Sequence, residues 1–361
     1  MLKSKDIYFI AVLLIVFQIG PLSGFMKTGD FSALFNDIIV SAKWFNVPLS
    51  FFYFKNLFQG RYFPDLNKKI KLIISRSFGL IVFNIFLGAL GFGMAFYNHG
   101  FNNPIGTKGY IYAGNELTIL TLALAFIIGI YVWQKKNYKM YGAFFLFFLT
   151  LSFFITSKTI IGGTILVFMI PLICSIKYSI KKKWINLIWI AGFFGIPVLS
   201  VLMYVGITES GIIDKLENSL LRNDNNIITV ILSNRNNFIE KGWDAYKNFP
   251  FEGKLFGYGQ NYHLELSGHL AEIDFLSLLF ASGIFGLVTL LLTIFYWHMN
   301  ARNLKRNKNG YHYAKFILVF LWFLIVVANL SGHIFGSGIA GFFIGLSLSL
   351  MFFKTNNRLD A

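Results

Sequence analysis

Apolar runs of roughly twenty residues, each closed by a short polar interruption, recur along nearly the whole chain. That length is what one helix needs to cross the hydrocarbon core of a bilayer. Ten spans are predicted, at 7–25, 31–54, 72–96, 110–133, 140–156, 159–176, 184–206, 273–297, 315–333 and 336–353. The first follows Lys3 and Lys5 and has no A-x-A site before Pro21, so it reads as a retained anchor rather than a removable signal peptide. The second is interrupted by Asp37 and Lys43. The fifth and sixth form a hairpin through "FFITSKTIIGG", residues 153–163.

Composition agrees with this pattern. Of the 361 residues, 56% are hydrophobic and only 13% charged, and the mean hydropathy is +0.61. A soluble domain cannot hide that much apolar surface. The expected fold class is therefore an all-α polytopic membrane protein with about ten transmembrane helices. One large external loop would join the seventh helix to the eighth. This divides the chain into 1–206 with seven helices, 207–271 as the loop, and 272–361 with three helices. The single cysteine, Cys174, excludes a disulfide framework and a cysteine-based metal site. No solenoid repeat or inverted transporter repeat is evident.

The formal net charge of +16 invites a nucleic-acid reading, but its distribution opposes it. Basic residues gather at Lys3/Lys5, Lys55 to Arg76, Lys135/Lys136/Lys139, Lys177 to Lys183, Arg302 to Lys315, and Lys354/Arg358. With ten spans and both termini inside, every cluster falls on the cytoplasmic side, as the positive-inside rule requires. Without the second span, "NKKIK" would lie outside. Trp133, Trp184 and Trp297 abut these clusters, like an interfacial aromatic belt. The loop, the "TSKT" turn and "SGHIFGSG" (331–338) then share the outer side, and over 207–274 acids outnumber bases.

Candidate chemistry collects on that outer side. "SNRNNFIEKGWDAYKNFPFEGKLFGYGQN" (233–261) begins as an amphipathic stretch, with Phe238, Trp243, Ala245 and Tyr246 on one face of a helix lying on the membrane. Pro250, Gly253, Gly257 and Gly259 then mark turns. Arg235 opens the helix, and a guanidinium suits a diphosphate held by two parallel hydrogen bonds. The plainer reading pairs it with headgroups or a loop acid. Lys158, at the hairpin tip, is either a snorkelling lysine or a phosphate ligand.

Glu272 and Asp274 stand where the eighth span begins, just after His269. Two residues apart on a helix they would point about 200° apart, so they are not a paired-carboxylate dyad. Acids in a first turn ordinarily stabilise the helix dipole. A general base would need a carboxylate or imidazole near a hydroxyl in a partly dry site. Glu272, Asp274, His263 and His269 meet that description, and His333 is a further outer histidine. No metal-ligand spacing connects the scattered histidines and acids, so no metal is expected.

An arginine, then "WDAYKNFPFEGKLFGYG", then "EIDFLSLLFASGIFGL" entering a span, resembles the O-antigen polymerase and O-antigen ligase-like superfamily. "SKT" at 157–159 is similar to that family's S-R-T turn, with Lys158 in place of Arg. The resemblance implies a bacterial glycosyltransferase acting on polyprenyl-diphosphate-linked sugars at the outer leaflet, with Arg235 matching the loop arginine that binds the diphosphate. The chain reads "EID" where ligases carry an H-N pair, which favours a polymerase of capsular or O-antigen polysaccharide.

On this reading Glu272, Asp274 and His269 are candidate catalytic residues, and Arg235, Arg222 and Lys158 bind diphosphate. Trp243, Tyr258, Asn261, Tyr262, His263 and His333 contact sugars. No cofactor is expected. The partners are lipid-linked oligosaccharides, membrane lipids and other polysaccharide-assembly proteins, and not nucleic acid. The alternatives are a ligase moving finished glycan to a lipid or protein acceptor, and a flippase of lipid-linked sugar. The pair Asp37 and Lys43 favours the last.

Overall fold

The computed structural model describes residues 4–60, 65–97, 105–175, 220, 226, 229, 232–307 and 311–354. The expected seventh span at 184–206 and Arg222 lie outside the described residues. Among the described residues, six helices are long and apolar enough to cross a membrane, and two shorter apolar helices accompany them. The protein is a helical, multi-pass membrane protein. It divides into two compact units, residues 67–225 and residues 1–66 with 226–361, so the second unit joins the chain's first two helices to its last third.

In the unit 67–225, helix α3 (Leu66–Ala89) stops short of the predicted 72–96. Gly91 and Gly93, with φ of 88° and 99°, turn the chain into left-handed backbone that other residues rarely adopt. An antiparallel pair follows, β1 (Met94–Tyr97) and β2 (Ile105–Gly109), with Ala95 opposite Thr107. This hairpin is a departure from the all-α expectation. Asn84 of α3 secures it: its amide donates to the Lys108 carbonyl at 3.0 Å and accepts from the Tyr110 N–H at 2.8 Å.

Helices α4 (Gly114–Gln134), α5 (Tyr138–Ile155) and α6 (Lys158–Ser175) then pack together, with α4 buried over most of its length. Between α5 and α6 the hydroxyls of Ser152 and Thr164 meet at 3.0 Å in a fully buried site. Where lipid cannot solvate a hydroxyl, such pairing satisfies both groups.

In the other unit, α1 (Ser4–Thr28) and α2 (Phe31–Gln59) pack against α12 (Ile339–Ser349), which continues as a 3-10 turn at Leu350–Phe352. Asp30 starts α2 by accepting from the N–H groups of Ser32 and Ala33 at 2.8 and 3.2 Å. The fit of α12 on α2 depends on "GFFIG", residues 341–345. A Cβ at Gly345 would stand 2.6 Å from the Ser50 Cβ and 2.7 Å from the Phe51 nitrogen. Two small residues four apart let the backbones approach this closely.

At the far end of the unit Lys55 is buried between Asp6, at 2.7 Å, and the Tyr296 hydroxyl, at 2.9 Å. Trp297, expected in an interfacial belt, is instead wholly buried and lies 5.5 Å from the ring of Phe51. Helix–helix packing, not the lipid boundary, fixes its place.

The long loop is not irregular. Residues 235–267 form three helices, α7 (Arg235–Lys247), α8 (Phe251–Phe256) and α9 (Gly259–Ser267). Tyr246, Phe249, Tyr258, Ala271, Leu279 and Phe280 give this region its own apolar core. The predicted apolar face of α7 is split. Tyr246 is buried with Gly242, whereas Trp243 is 48% exposed.

Helix α10 (Asp274–Arg306) is followed by α11 (Ala314–Leu330). It breaks at Gly283, whose φ of 64° and ψ of −167° are not helical. The rings of Phe275 and Trp297 each lie 6.2 Å from that of Phe335. A straight helix would put residues 275 and 297 about 33 Å apart, so the two halves of α10 fold toward each other. The predicted continuous span 273–297 is therefore corrected to a half-helix, 274–282, followed by a long helix from 284.

Candidate functional site

The loop helices are fastened to the bundle by acids that bind backbone N–H groups far away in sequence. Asp37, buried in the second turn of α2, accepts from Gln260 and Asn261 N–H at 3.0 and 2.9 Å. Those amides belong to the first turn of α9, where no intrahelical acceptor exists and where the helix dipole favours an anion. Gly259, with φ of 81°, is required at this approach, because a Cβ there would collide with the Asp37 carboxylate. The Asn36 side chain donates to the Asn261 side chain at 2.9 Å, and Asn261 donates to the Ala33 carbonyl at 3.0 Å. Asp37, which the sequence offered as support for transport, thus docks α9 onto α2.

Asp274 makes a second clasp. One carboxylate oxygen accepts from His333 N–H at 2.5 Å. The other accepts from Ile334 and Phe335 N–H at 2.8 and 2.7 Å. The residue is 3% exposed. Three convergent amides form a small anion-binding nest, and they fix the 331–338 loop across the start of α10. Gly332, with φ of 66°, runs against the Glu272 carbonyl, where a side chain would clash.

Glu272 does not share a helix with Asp274, as the sequence suggested. It precedes α10 in left-handed backbone, φ 52°, and His333 opposite has φ 59°. Non-glycine residues in this region each carry of order 1–3 kcal/mol of strain, and such residues cluster at functional sites.

Arg235 meets Glu272 here. Its Nη2 stands 3.3 Å from the Glu272 Oε2. Its Nη1 donates weakly to the carbonyls of Leu330 and Leu232, at 3.4 and 3.5 Å. Leu330 ends α11, so the negative pole of that helix faces the guanidinium. The arginine side chain is 11% exposed and the glutamate side chain 41%. Among the described residues, no group accepts a hydrogen bond from the buried Nε of Arg235. The site is therefore an oriented cation with unused donor capacity, beside an accessible carboxylate.

The remaining candidates fall around this pair in different ways. His269 is exposed and stacks on Phe238 of α7 with 4.6 Å between ring centres. His263 is 2% exposed, stacked at 4.6 Å on Phe280, with its Nε2 3.1 Å from the Gly242 carbonyl. Burial pushes its pKa below the ordinary histidine value, so the neutral ring is favoured. It is a core imidazole and lines no open surface.

Tyr258 is buried as well, whereas Tyr262 is half-buried and the Lys27 ammonium sits over both rings, at 4.2 and 4.8 Å. Lys158 belongs to the other unit, where it starts α6 as an exposed side chain after Thr156 turns the chain with φ 62°.

The sequence reading missed two positions that shape this site. Gly242 faces Phe280 so closely that a Cβ would stand 2.7 Å from its ring. Gly283 breaks α10 where the Leu255 carbonyl approaches. For Gly283, a glycine inside an apolar helical run is the signal that pointed there.

No curated protein and no solved structure matches the chain. Residues 206–356 match the family described as O-antigen ligase like membrane protein. That stretch, somewhat under half of the chain, carries Arg235, Glu272, Asp274 and both loops they join, so this part of the chain is similar to the O-antigen ligase-like family.

Proposed function

We propose that the protein is a membrane glycosyltransferase that polymerises lipid-linked oligosaccharide repeat units into capsular or O-antigen polysaccharide. It would act at the outer face of the cytoplasmic membrane, with both termini cytoplasmic. The family match supports glycan transfer in a membrane. The observation that carries the reading is the Arg235–Glu272 pair, a mostly buried guanidinium with an undonated Nε beside a carboxylate open to solvent.

In the proposed reaction a hydroxyl of one lipid-linked oligosaccharide attacks the anomeric carbon of the chain carried on another. The bond to the polyprenyl diphosphate breaks, and the diphosphate leaves with the electron pair. Arg235 stabilises the charge that develops on the leaving group, because its donors are already oriented in a partly dry site. The sequence offers Arg222 and Lys158 as further diphosphate-binding candidates.

Glu272 receives the acceptor's proton, with exposed His269 as the neighbouring alternative. Asp274 contributes by holding the 333–335 loop, since its oxygens already serve three amides. Trp243, Tyr262 and His333 are proposed to contact sugar, while Tyr258, Asn261 and His263 keep the loop helices in place.

The test is genetic. Deletion of the gene should collapse the glycan from a ladder of lengths to a single repeat unit on its normal acceptor. A ligase would give the other result, with long chains retained on the lipid carrier. An unchanged ladder would end the reading.

A further inference from the structure

At the same end of the bundle as Arg235, the end of α1, the start of α2 and α9 enclose a cleft of about 260 Å³. Asp30, Leu34, Asp37, Tyr258, Tyr262 and Glu265 line it; among the described residues no arginine or histidine does, and the nearest cation is Lys27, over the two tyrosine rings. The cleft is built rather than incidental, because the clasp of Asp37 on Gln260 and Asn261 sets the distance between its two sides. Lys27 packs over the Tyr258 and Tyr262 rings, which meet edge to face at 5.2 Å, and holds them in place.

We propose that this cleft is a sugar subsite that takes one neutral or amino pyranose ring of the glycan. The proposal rests on the reading of the protein as a glycan transferase and adds to it where sugar is held. Three properties of the walls select the ligand. Carboxylates accept hydrogen bonds only, and sugar hydroxyls and ammonium groups supply the donors. The half-buried Tyr262 ring and Leu34 give an apolar surface for the C–H face of a pyranose.

Charge completes the selection. Every phospholipid headgroup and every sugar diphosphate carries phosphate, which the three lining carboxylates, outnumbering the single Lys27 ammonium over the tyrosine rings, repel. The cleft and the Arg235 site are thus complementary, one rejecting the anion that the other attracts. Pockets for drug-sized ligands run to about 300–1,000 Å³, so this volume suits a single ring better than an oligosaccharide.

Binding can be read without turnover. The full-length protein in lipid nanodiscs should transfer saturation, in ligand-observed NMR, to methyl β-D-glucopyranoside or to methyl 2-amino-2-deoxyglucopyranoside. It should transfer little to N-acetylneuraminic acid. Glu265→Lys places a cation at an exposed wall, and Leu34→Trp fills the cleft; each should weaken binding of the first two probes at least fivefold. Arg235→Ala should leave it unchanged.

Transfer that survives both cleft variants, or no transfer to either probe, would overturn the proposal. Transfer lost equally with phosphocholine added as competitor would assign the cleft to a lipid headgroup and overturn it as well. If the neutral probes bind as expected but deletion of the gene leaves the polysaccharide ladder intact, the sugar subsite stands and the polymerase reading falls.

Discussion

Arg235 Nη2 and Glu272 Oε2 stand 3.3 Å apart, joining the head of α7 to the residue that leads into α10 across 37 positions of sequence. The contact is single and rather long, and the glutamate is partly open to solvent. It is the geometry of a pair that an incoming diphosphate can exchange into. On the proposed function, binding of the leaving group would release the carboxylate for proton transfer.

Glu272→Gln separates these roles. It should tighten binding of a short polyprenyl diphosphate severalfold, because the phosphate no longer competes with a carboxylate. It should slow turnover by about 10²–10⁴-fold, the usual contribution of general base catalysis. Weaker diphosphate binding by this variant would mean that the glutamate merely orients the arginine.

Arg235→Lys keeps the charge but loses the planar fork. It should fail to restore the ladder in cells lacking the gene, nearly as completely as Arg235→Ala. By analogy with removal of one oxyanion donor, the loss should be about 3–4 kcal/mol of transition-state stabilisation. Equal membrane levels of the three proteins make the comparison valid. A full ladder from Arg235→Ala would place the diphosphate anchor elsewhere.

Asp274 should behave differently from Glu272. Hydrogen bonds to a charged acceptor contribute about 1.5–3 kcal/mol each, and an amide left buried without a partner costs about 1–3 kcal/mol. Asp274→Ala should therefore lower thermal stability and membrane abundance, together with activity. Unchanged melting of the purified variant, with activity lost, would instead make Asp274 a chemical participant.

His263 should give the loop helices a pH limit. Its folded pKa lies below the unfolded value of about 6.5. Above that value both states are neutral and the group is without effect. As pH falls through it, the unfolded chain binds a proton that the buried ring resists, so stability drops. Melting temperature should fall on acidification below about pH 6.5. His263→Gln, which can still donate to the Gly242 carbonyl, should flatten that dependence. A slope unchanged in the variant would place the titrating group elsewhere.

Gly283 tests the broken helix. The φ of 64° and ψ of −167° lie in a region essentially reserved to glycine, where a side chain costs about 1–3 kcal/mol, and here a Cβ would also strike the Leu255 carbonyl. Gly283→Ala should reduce folded yield, while Gly79→Ala, with open space around it, should not. Equal yields would show that the half-helix can be relaid as a continuous span.

The apolar runs by themselves determined that this chain is a membrane protein. Lipid cannot solvate backbone groups, so long uncharged stretches admit one local solution, the helix. α1, α4, α5 and α6 accordingly lie close to where the runs place them. The order of Arg235, the glycine-punctuated turns and the acid-led helix was legible too, because residue type and spacing are local properties.

Tertiary structure decided the rest. Whether an acid at a helix start is a base, a cap or a clasp depends on which distant amides face it, and neither Asp37 with 260–261 nor Asp274 with 333–335 leaves a trace in local sequence. The break at Gly283 is decided the same way, since a glycine permits a left-handed turn but the close approach of the loop at Leu255 requires it. Sequence dictated which groups must avoid lipid. Only packing assigned those groups their partners.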